Sequence, residues 1–476
     1  MERDDSNYVG LGPARRSIVA RLTPAILIVA LVPGLSPGQT GPGTAGVGPP
    51  GGGQPAGTGA GASDGTPRHK DVDAAVEKFQ AGKLDEARQL LLDAKKKNPE
   101  LPPGNLMFAQ LLFAANQPAA ARSAVEQAVA DEPKDPEGYL ILGDLAFQQQ
   151  RLTDADLLFS QAFTLTGEYK GNAERQENLL MRSYAGVAAV AEARQQWAAA
   201  ESQLRAWLKL NPENVVALTR LARTLFKQGQ EKEAYKVLQD LYGINAQAGR
   251  PEINMAGLFE QAGKRPNARK LVELAVQRDA ESSQTRLAAA NWALEAGELD
   301  MAATNTAEAL RLVPKSFEAR LMSGLVNRYK RKYAEAEEPL VAAHLQMPLH
   351  PAAINQLALV LIEQPDEEKR GLAAQYAEMN ARLNSDQAQP VGREAAVTLG
   401  WVLMRLGRVV EAERAVQAAL SSGSVSADAA FHAASLFHTR GRDDLARPLL
   451  KPILDSTVAF PSREDAEKLL ASLKLE

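Results

Sequence analysis

The chain has 476 residues, a net charge of −4 and only 5% aromatic residues, a balance that carries no basic footprint for nucleic acid. It contains no cysteine, which excludes disulfides and a lipid-anchored N-terminal cysteine and leaves the redox compartment open. A length of this size ordinarily means several domains, unless a stacked repeat makes length independent of core size.

Residues 1–35 read as a signal peptide or short membrane-targeting segment. Arg15, Arg16 and Arg21 precede an apolar run over 25–32 flanked by Pro24 and Pro33. That run suits a signal-peptide core and falls short of the ~20 residues that span a bilayer. Export to the periplasm or cell envelope is therefore expected, with no membrane span in the mature chain. The stretch Arg15-Arg16-Ser17-Ile18-Val19 also resembles a twin-arginine signal, beside the general secretory route. Residues 36–67 hold 12 Gly and 6 Pro with a single charge, Asp64, and read as a disordered tether with an r.m.s. span of ~30 Å.

From residue 68 onward an alanine returns with a period near 34: Ala87, Ala121, Ala155, Ala200, Ala234, Ala268, Ala302, Ala336, Ala374, Ala412 and Ala446. In nearly every unit a second small residue lies twelve positions earlier, as at Ala75, Gly143, Ala222 and Gly324. Seven residues after it a Gly, Asn or Pro (Gly82, Asn116, Gly229, Gly263, Gly297, Pro365, Gly407, Gly441) marks the stop of a first helix. The second helix carries a further alanine and often ends at a proline such as Pro99, Pro133 or Pro314. Two small residues per unit let two helix backbones approach, so each unit is helix, tight turn, helix. Longer steps place extra residues at 166–178, 365–370 and 384–390, expected as extended helix ends or surface loops. After the last unit, 462–474 reads as an amphipathic helix with Ala466, Leu469, Leu470 and Leu473 at helical spacing, expected to cover the open end of the stack.

This pattern resembles the tetratricopeptide repeat, W-x2-L-G-x2-Y, then A-x3-F, then P. The unit from Pro136 keeps Tyr139, Leu142-Gly143, Ala155 and Phe159, and the unit from Arg393 keeps Leu399-Gly400, Ala412 and Val416. The resemblance implies an all-α, right-handed superhelical solenoid of about eleven repeats over 68–457, with a C-terminal capping helix in 458–476. It also implies a concave groove lined by first helices that binds protein or peptide partners.

Phe79, Phe113, Phe147 and Phe226 recur at one first-helix position, so they form either a row that grips apolar peptide side chains or packing between repeats. Arg220, Arg223 and Lys227 share a helix face, with Arg250 one repeat on, as a carboxylate site or an ordinary solvated face. Family members that hold chaperone C-termini use a lysine and asparagine set. Arg220 and Asn254 fall at suitable positions for it, but the first unit has no match. Trp401, Met404, Phe431 and His438 suggest a second, more apolar stretch of groove, with core packing as the rival reading.

Chemistry has no foothold in the sequence. Gly41 to Gly46 spells a dinucleotide fingerprint with no strand before it, and Gly257 to Gly263-Lys264 lacks phosphate-loop spacing. The five histidines lack a metal-binding spacing, so no metal, cofactor or catalytic residue is expected. The expectation is a non-enzymatic scaffold of the bacterial cell envelope; the resemblance implies service in secretion, outer-membrane assembly or exopolysaccharide export, and no residue picks among the three. A periplasmic holding chaperone is the alternative, and an enzyme a remote one.

Overall fold

The computed structural model describes residues 70–473, so the signal segment, the tether and the last three residues lie outside the described region. Among the described residues there are 23 α-helices and no strand. They fall into two compact units, 70–289 and 290–473, with the division inside α13.

The first unit runs through α1 (Lys70–Gln80), α2 (Leu84–Lys97), α3 (Gly104–Ala114), α4 (Pro118–Asp131), α5 (Pro136–Gln148), α6 (Leu152–Glu168), α7 (Ala173–Ala193), α8 (Trp197–Leu210), α9 (Val215–Lys227), α10 (Glu231–Ile244), α11 (Pro251–Gln261) and α12 (Arg265–Arg278). Then come α13 (Ser283–Glu295), α14 (Leu299–Leu312), α15 (Phe317–Tyr329), α16 (Tyr333–Gln346), α17 (Pro351–Ile362), α18 (Glu367–Leu383), α19 (Pro390–Arg405), α20 (Val409–Ser422), α21 (Ala427–Thr439), α22 (Asp443–Asp455) and α23 (Arg463–Ser472). From α1 to α12 and from α14 to α23 consecutive helices pack as neighbours, odd-numbered first helices against even-numbered second helices. The expected all-α repeat solenoid is what forms.

The alanine ladder marks the helix contacts. Ala87, Ala121, Ala155, Ala200, Ala234, Ala268, Ala302, Ala336, Ala412 and Ala446 are all fully buried. Where the opposing small residue is glycine, it makes room for the larger residue four positions after the ladder alanine. A Cβ on Gly143 would lie 2.6 Å from the Phe159 ring, and one on Gly324 would lie 2.3 Å from Leu340. One rung departs from the spacing: α18 buries Ala373, while Ala374 is only partly buried. The inserted residues ahead of α18 rotate its core face by one position.

The turns between paired helices are left-handed at Gly82, Gly229, Gly263, Gly297, Gly407 and Gly441, and at Asn116. Gln150, Gln195 and Arg331 take the same conformation, with φ of 61°, 59° and 57°. Side chains rarely adopt this region, and here the hydrogen bonds closing the turn hold them in it. In the Gln150 turn, Gln150 N–H donates to the Phe147 carbonyl and Arg151 N–H to that of Ala146, both at 2.9 Å. The extra residues at 166–178 lengthen α6 to 17 residues and α7 to 21.

The C-terminal helix α23 packs on α22 and α21, the last helix pair, and the residues before it reach back to α13 and α15. Among the described residues, no helix is long and apolar enough to cross a membrane.

Candidate functional site

The face along which successive first helices touch carries most of the expected site residues. In the first unit it begins with a buried charge cluster at α5 and α7. Arg175 donates two hydrogen bonds to Asp135 (2.8 and 3.0 Å) and one to Glu137 (2.8 Å). Arg182 lies 3.5 Å from Glu137 and 3.6 Å from Asp144. Burial pushes the Asp144 carboxyl up to about 6, with Arg182 pulling against it.

On α9 the three cations of the expected cluster have different surroundings. Arg220 donates to Glu192 (3.0 Å) and to the Ala185 carbonyl (3.1 Å), so its charge is already neutralised within the chain. Arg223, half-buried one turn on, makes no hydrogen bond or ion pair among the described residues. Burial lowers its affinity for the proton, partly offset by Glu192 and worsened by Arg220. The residues at the same repeat position on α7 and α11 are Ala189 and Gly257, and a Cβ on Gly257 would touch nothing within 4 Å. No large side chain stands at the equivalent position on either neighbouring first helix. Lys227, a further turn along, is exposed and also unpaired among the described residues.

The remaining expected residues of this unit are engaged internally. Arg250 pairs with Glu252 (3.3 Å) and Asp279 (3.8 Å) and lies over the Tyr242 ring. Asn254 donates to the carbonyls of Ala248 (2.9 Å) and Gly249 (3.2 Å), tying down the turn before α11. Phe147 and Phe226 are buried, the first in the core around Phe159, the second edge-on to Phe259 at 5.0 Å. Phe79 meets Phe108 edge-on at 6.1 Å, and Phe113 is partly buried in the same cluster. Of the phenylalanine row, the two later members pack between repeats and the two earlier ones keep a partial surface.

In the second unit Trp401 and Phe431 are buried, with ring centroids 5.9 Å apart. Trp401 stacks on His432 at 4.3 Å and donates to Glu363 at 3.0 Å. Arg328 on α15 donates to Gln356 on α17 (3.0 Å) and to Asp428 on α21. Burial alone would raise the Asp428 carboxyl, but Arg328, His432 and Ser462 hold it well below the usual range. Burial pushes His432 down to about 4, against the pull of Asp428.

The sequence reading did not single out Arg328, Asp428 or His432. A signal was present, because Arg328 stands at the repeat position held elsewhere by the phenylalanines, and a cation there demands a buried partner. Among the described residues, no cluster of His, Asp and Glu is arranged to hold a metal ion.

Two family models, both described as tetratricopeptide repeat, match residues 106–163 and 397–457 and residues 191–256. Those segments lie in both units, and repeats of this kind serve as protein-interaction scaffolds. No curated protein sequence matches the chain. Among solved structures, yeast Tom70 aligns at 15% identity over 85% of this chain and 95% of its own, with a TM-score of 0.39. PilW, described as a type IV pilus biogenesis factor, aligns at 16% identity over 46% and 96%, with a TM-score of 0.32. Pseudomonas aeruginosa pilF aligns at 16% identity over 53% and 94%, with a TM-score of 0.30.

Proposed function

We propose that this chain is a non-enzymatic scaffold that holds peptide or protein partners against the first helices of its repeats, with a partner carboxylate seated at α9. The observation that carries this reading is Arg223, a half-buried guanidinium with no partner among the described residues and small residues on either side. A cation partly removed from water gains most from a charged acceptor. Lys227 widens the attraction toward an acidic side chain or C-terminus. The other basic residues of the expected groove, Arg220 and Arg250, are already spent on Glu192, Glu252 and Asp279.

Peptides selected from a random library on the wild-type chain should be enriched in Asp, Glu or a free C-terminus. Their affinity should fall at least ~10-fold in Arg223→Glu, a loss of about 1.4 kcal/mol. Circular dichroism and the unfolding midpoint should stay unchanged. Selected peptides without acidic preference, or equal affinity for Arg223→Glu, would sink the reading.

We place this scaffold in the bacterial cell envelope on the strength of Arg15, Arg16, Arg21 and the apolar run at 25–32. Residues 1–67 fused to a reporter active only outside the cytoplasm should give signal, and Leu27→Arg should abolish it by putting charge in the apolar core. Full activity of the Leu27→Arg fusion, or none from the parent, counts against export.

A further inference from the structure

In the second unit the first-helix face is not open. Residues 456–462, which lack regular secondary structure and end in a turn, cross it. The Ala459 N–H donates to the Glu295 carbonyl at 2.9 Å, and the Tyr329 hydroxyl donates to the Ala459 carbonyl at 3.4 Å. Ser462 precedes α23 but makes no capping bond to it; its hydroxyl donates to Asp428 at 2.9 Å. Arg331, at the turn after α15, reaches Asp465 at 2.7 Å. The tail thus touches two first helices, α15 and α21, and the C-terminal end of a third, α13.

Where it crosses, the attachment is three hydrogen bonds and one apolar anchor, Phe460, which belongs to the unit's buried core. Phe460, Ala466 and Leu473 are the tail's buried apolar side chains, and the Arg331–Asp465 pair is 41% exposed on both sides, where an ion pair adds little. A ten-residue helix such as α23 has little stability of its own. Its N-terminal hydroxyl is diverted to Asp428. The charges beneath have partners besides the tail, since Arg328 pairs with Asp428 and Gln356 and His432 stacks on Trp401, whereas the Tyr329 hydroxyl makes its hydrogen bond to the tail. At the hinge, Arg463 donates to the carbonyls of Leu454 (2.8 Å) and Ser456 (2.9 Å), tying the tail's root to the end of α22.

We propose that the first-helix face of the second unit is a peptide-binding surface, occupied at rest by the chain's own residues 456–465. In their place it accepts an extended partner segment of the same chemistry: an alanine-sized residue followed by an aromatic, then a hydroxyl, then a carboxylate three residues on. The tail's own Ala459, Phe460, Ser462 and Asp465 define that pattern. Main-chain hydrogen bonds to Glu295 and Tyr329 hold the backbone, Asp428 reads the hydroxyl and Arg331 the carboxylate. This surface is separate from the Arg223 site, which lies in the other unit.

Two measurements test it. On the full-length chain, amides of 458–473 should exchange with solvent at least ~100-fold faster than those of α15 and α21, as expected of local opening. A chain ending at Asp455 should bind a synthetic peptide of residues 456–476 one-to-one, and the full-length chain should bind it at least ~10-fold more weakly. The peptide with Asp465→Lys should lose affinity for the shortened chain and regain it when that chain carries Arg331→Glu. Arg223→Glu should leave all of these values alone. Exchange of the tail only together with α15 and α21 would overturn the proposal, as would a folded shortened chain that ignores the peptide. Should the full-length chain trade tails between two copies and form a dimer, the occupant is a second copy and the partner-segment proposal fails. If the shortened chain does not fold, amide exchange in the full-length chain decides.

Discussion

The same helix face is used in two ways within one chain. In 70–289 its charges pair between neighbouring repeats, Arg175 and Arg182 with Asp135, Glu137 and Asp144, and Arg220 with Glu192, which leaves Arg223 and Lys227 over. In 290–473 the pairing runs between helices 100 residues apart, Arg328 to Asp428, and the chain's own tail lies across it. Identical repeats place side chains at equivalent positions. Whether a position binds a partner or the chain itself depends on what the fold brings opposite it.

The largest expected effect separates the units by their cores. Phe159 is fully buried, with Gly143 and Gly186 both shaped around its ring, so no neighbouring side chain can fill the space it leaves. Phe159→Ala should destabilise 70–289 by about 3–5 kcal/mol. Amide exchange resolved by helix should show the loss in α5 to α7 and leave the slowest amides of α17 to α21 unchanged. Equal loss in both sets would mean that the two units unfold as one.

A smaller effect sharpens the comparison through pH. The folded His432 ring has its pKa lowered from 6.5 to about 4, so the fold favours the neutral ring. Its stabilisation is present above pH 6.5 and is lost as pH falls through 4. Asp144 behaves oppositely: its pKa is raised from 3.8 to about 6, so stability in its unit drops as pH rises through that window. Acidifying from pH 7 to 4.5 should therefore weaken 290–473 through His432 and ease the cost of Asp144 in 70–289. His432→Gln should remove roughly 1–3 kcal/mol of that acid sensitivity from the second unit, and Asp144→Asn should flatten the opposing trend in the first. Helix-resolved exchange at the two pH values reads both; identical pH profiles for parent and His432→Gln would refute the assignment. The binding change expected of Arg223→Glu comes last in this order, since it should move affinity and leave stability alone.

Much of the architecture was legible because each repeat is local. The alanine ladder and its opposing small residues lie within one helix pair, and all but one of the ladder rungs fell where the period put them. Three turn positions carried no visible signal, because Gln150, Gln195 and Arg331 take a conformation that their residue types do not advertise. The rung at Ala374 slipped to Ala373 because an insertion changes helix rotation, which residue counting cannot track. The candidate site was less legible. The phenylalanine row marks a common repeat position, but burial of Phe147 and Phe226 depends on the next repeat's side chains. Arg220 and Arg223 look alike in sequence, and only the position of Glu192 across the helix pair separates a paired cation from a free one.

By itself, the sequence determined that the chain is a series of helix pairs, since helical period, small residues and turns act over a few tens of residues. Only the tertiary structure decided where residues 456–473 go. Their contacts join positions such as Arg331 and Asp465, 134 residues apart, through hydrogen bonds and an exposed ion pair that leave no periodic trace. Such contacts exist only once the intervening repeats have stacked and brought the ends of their first helices within reach.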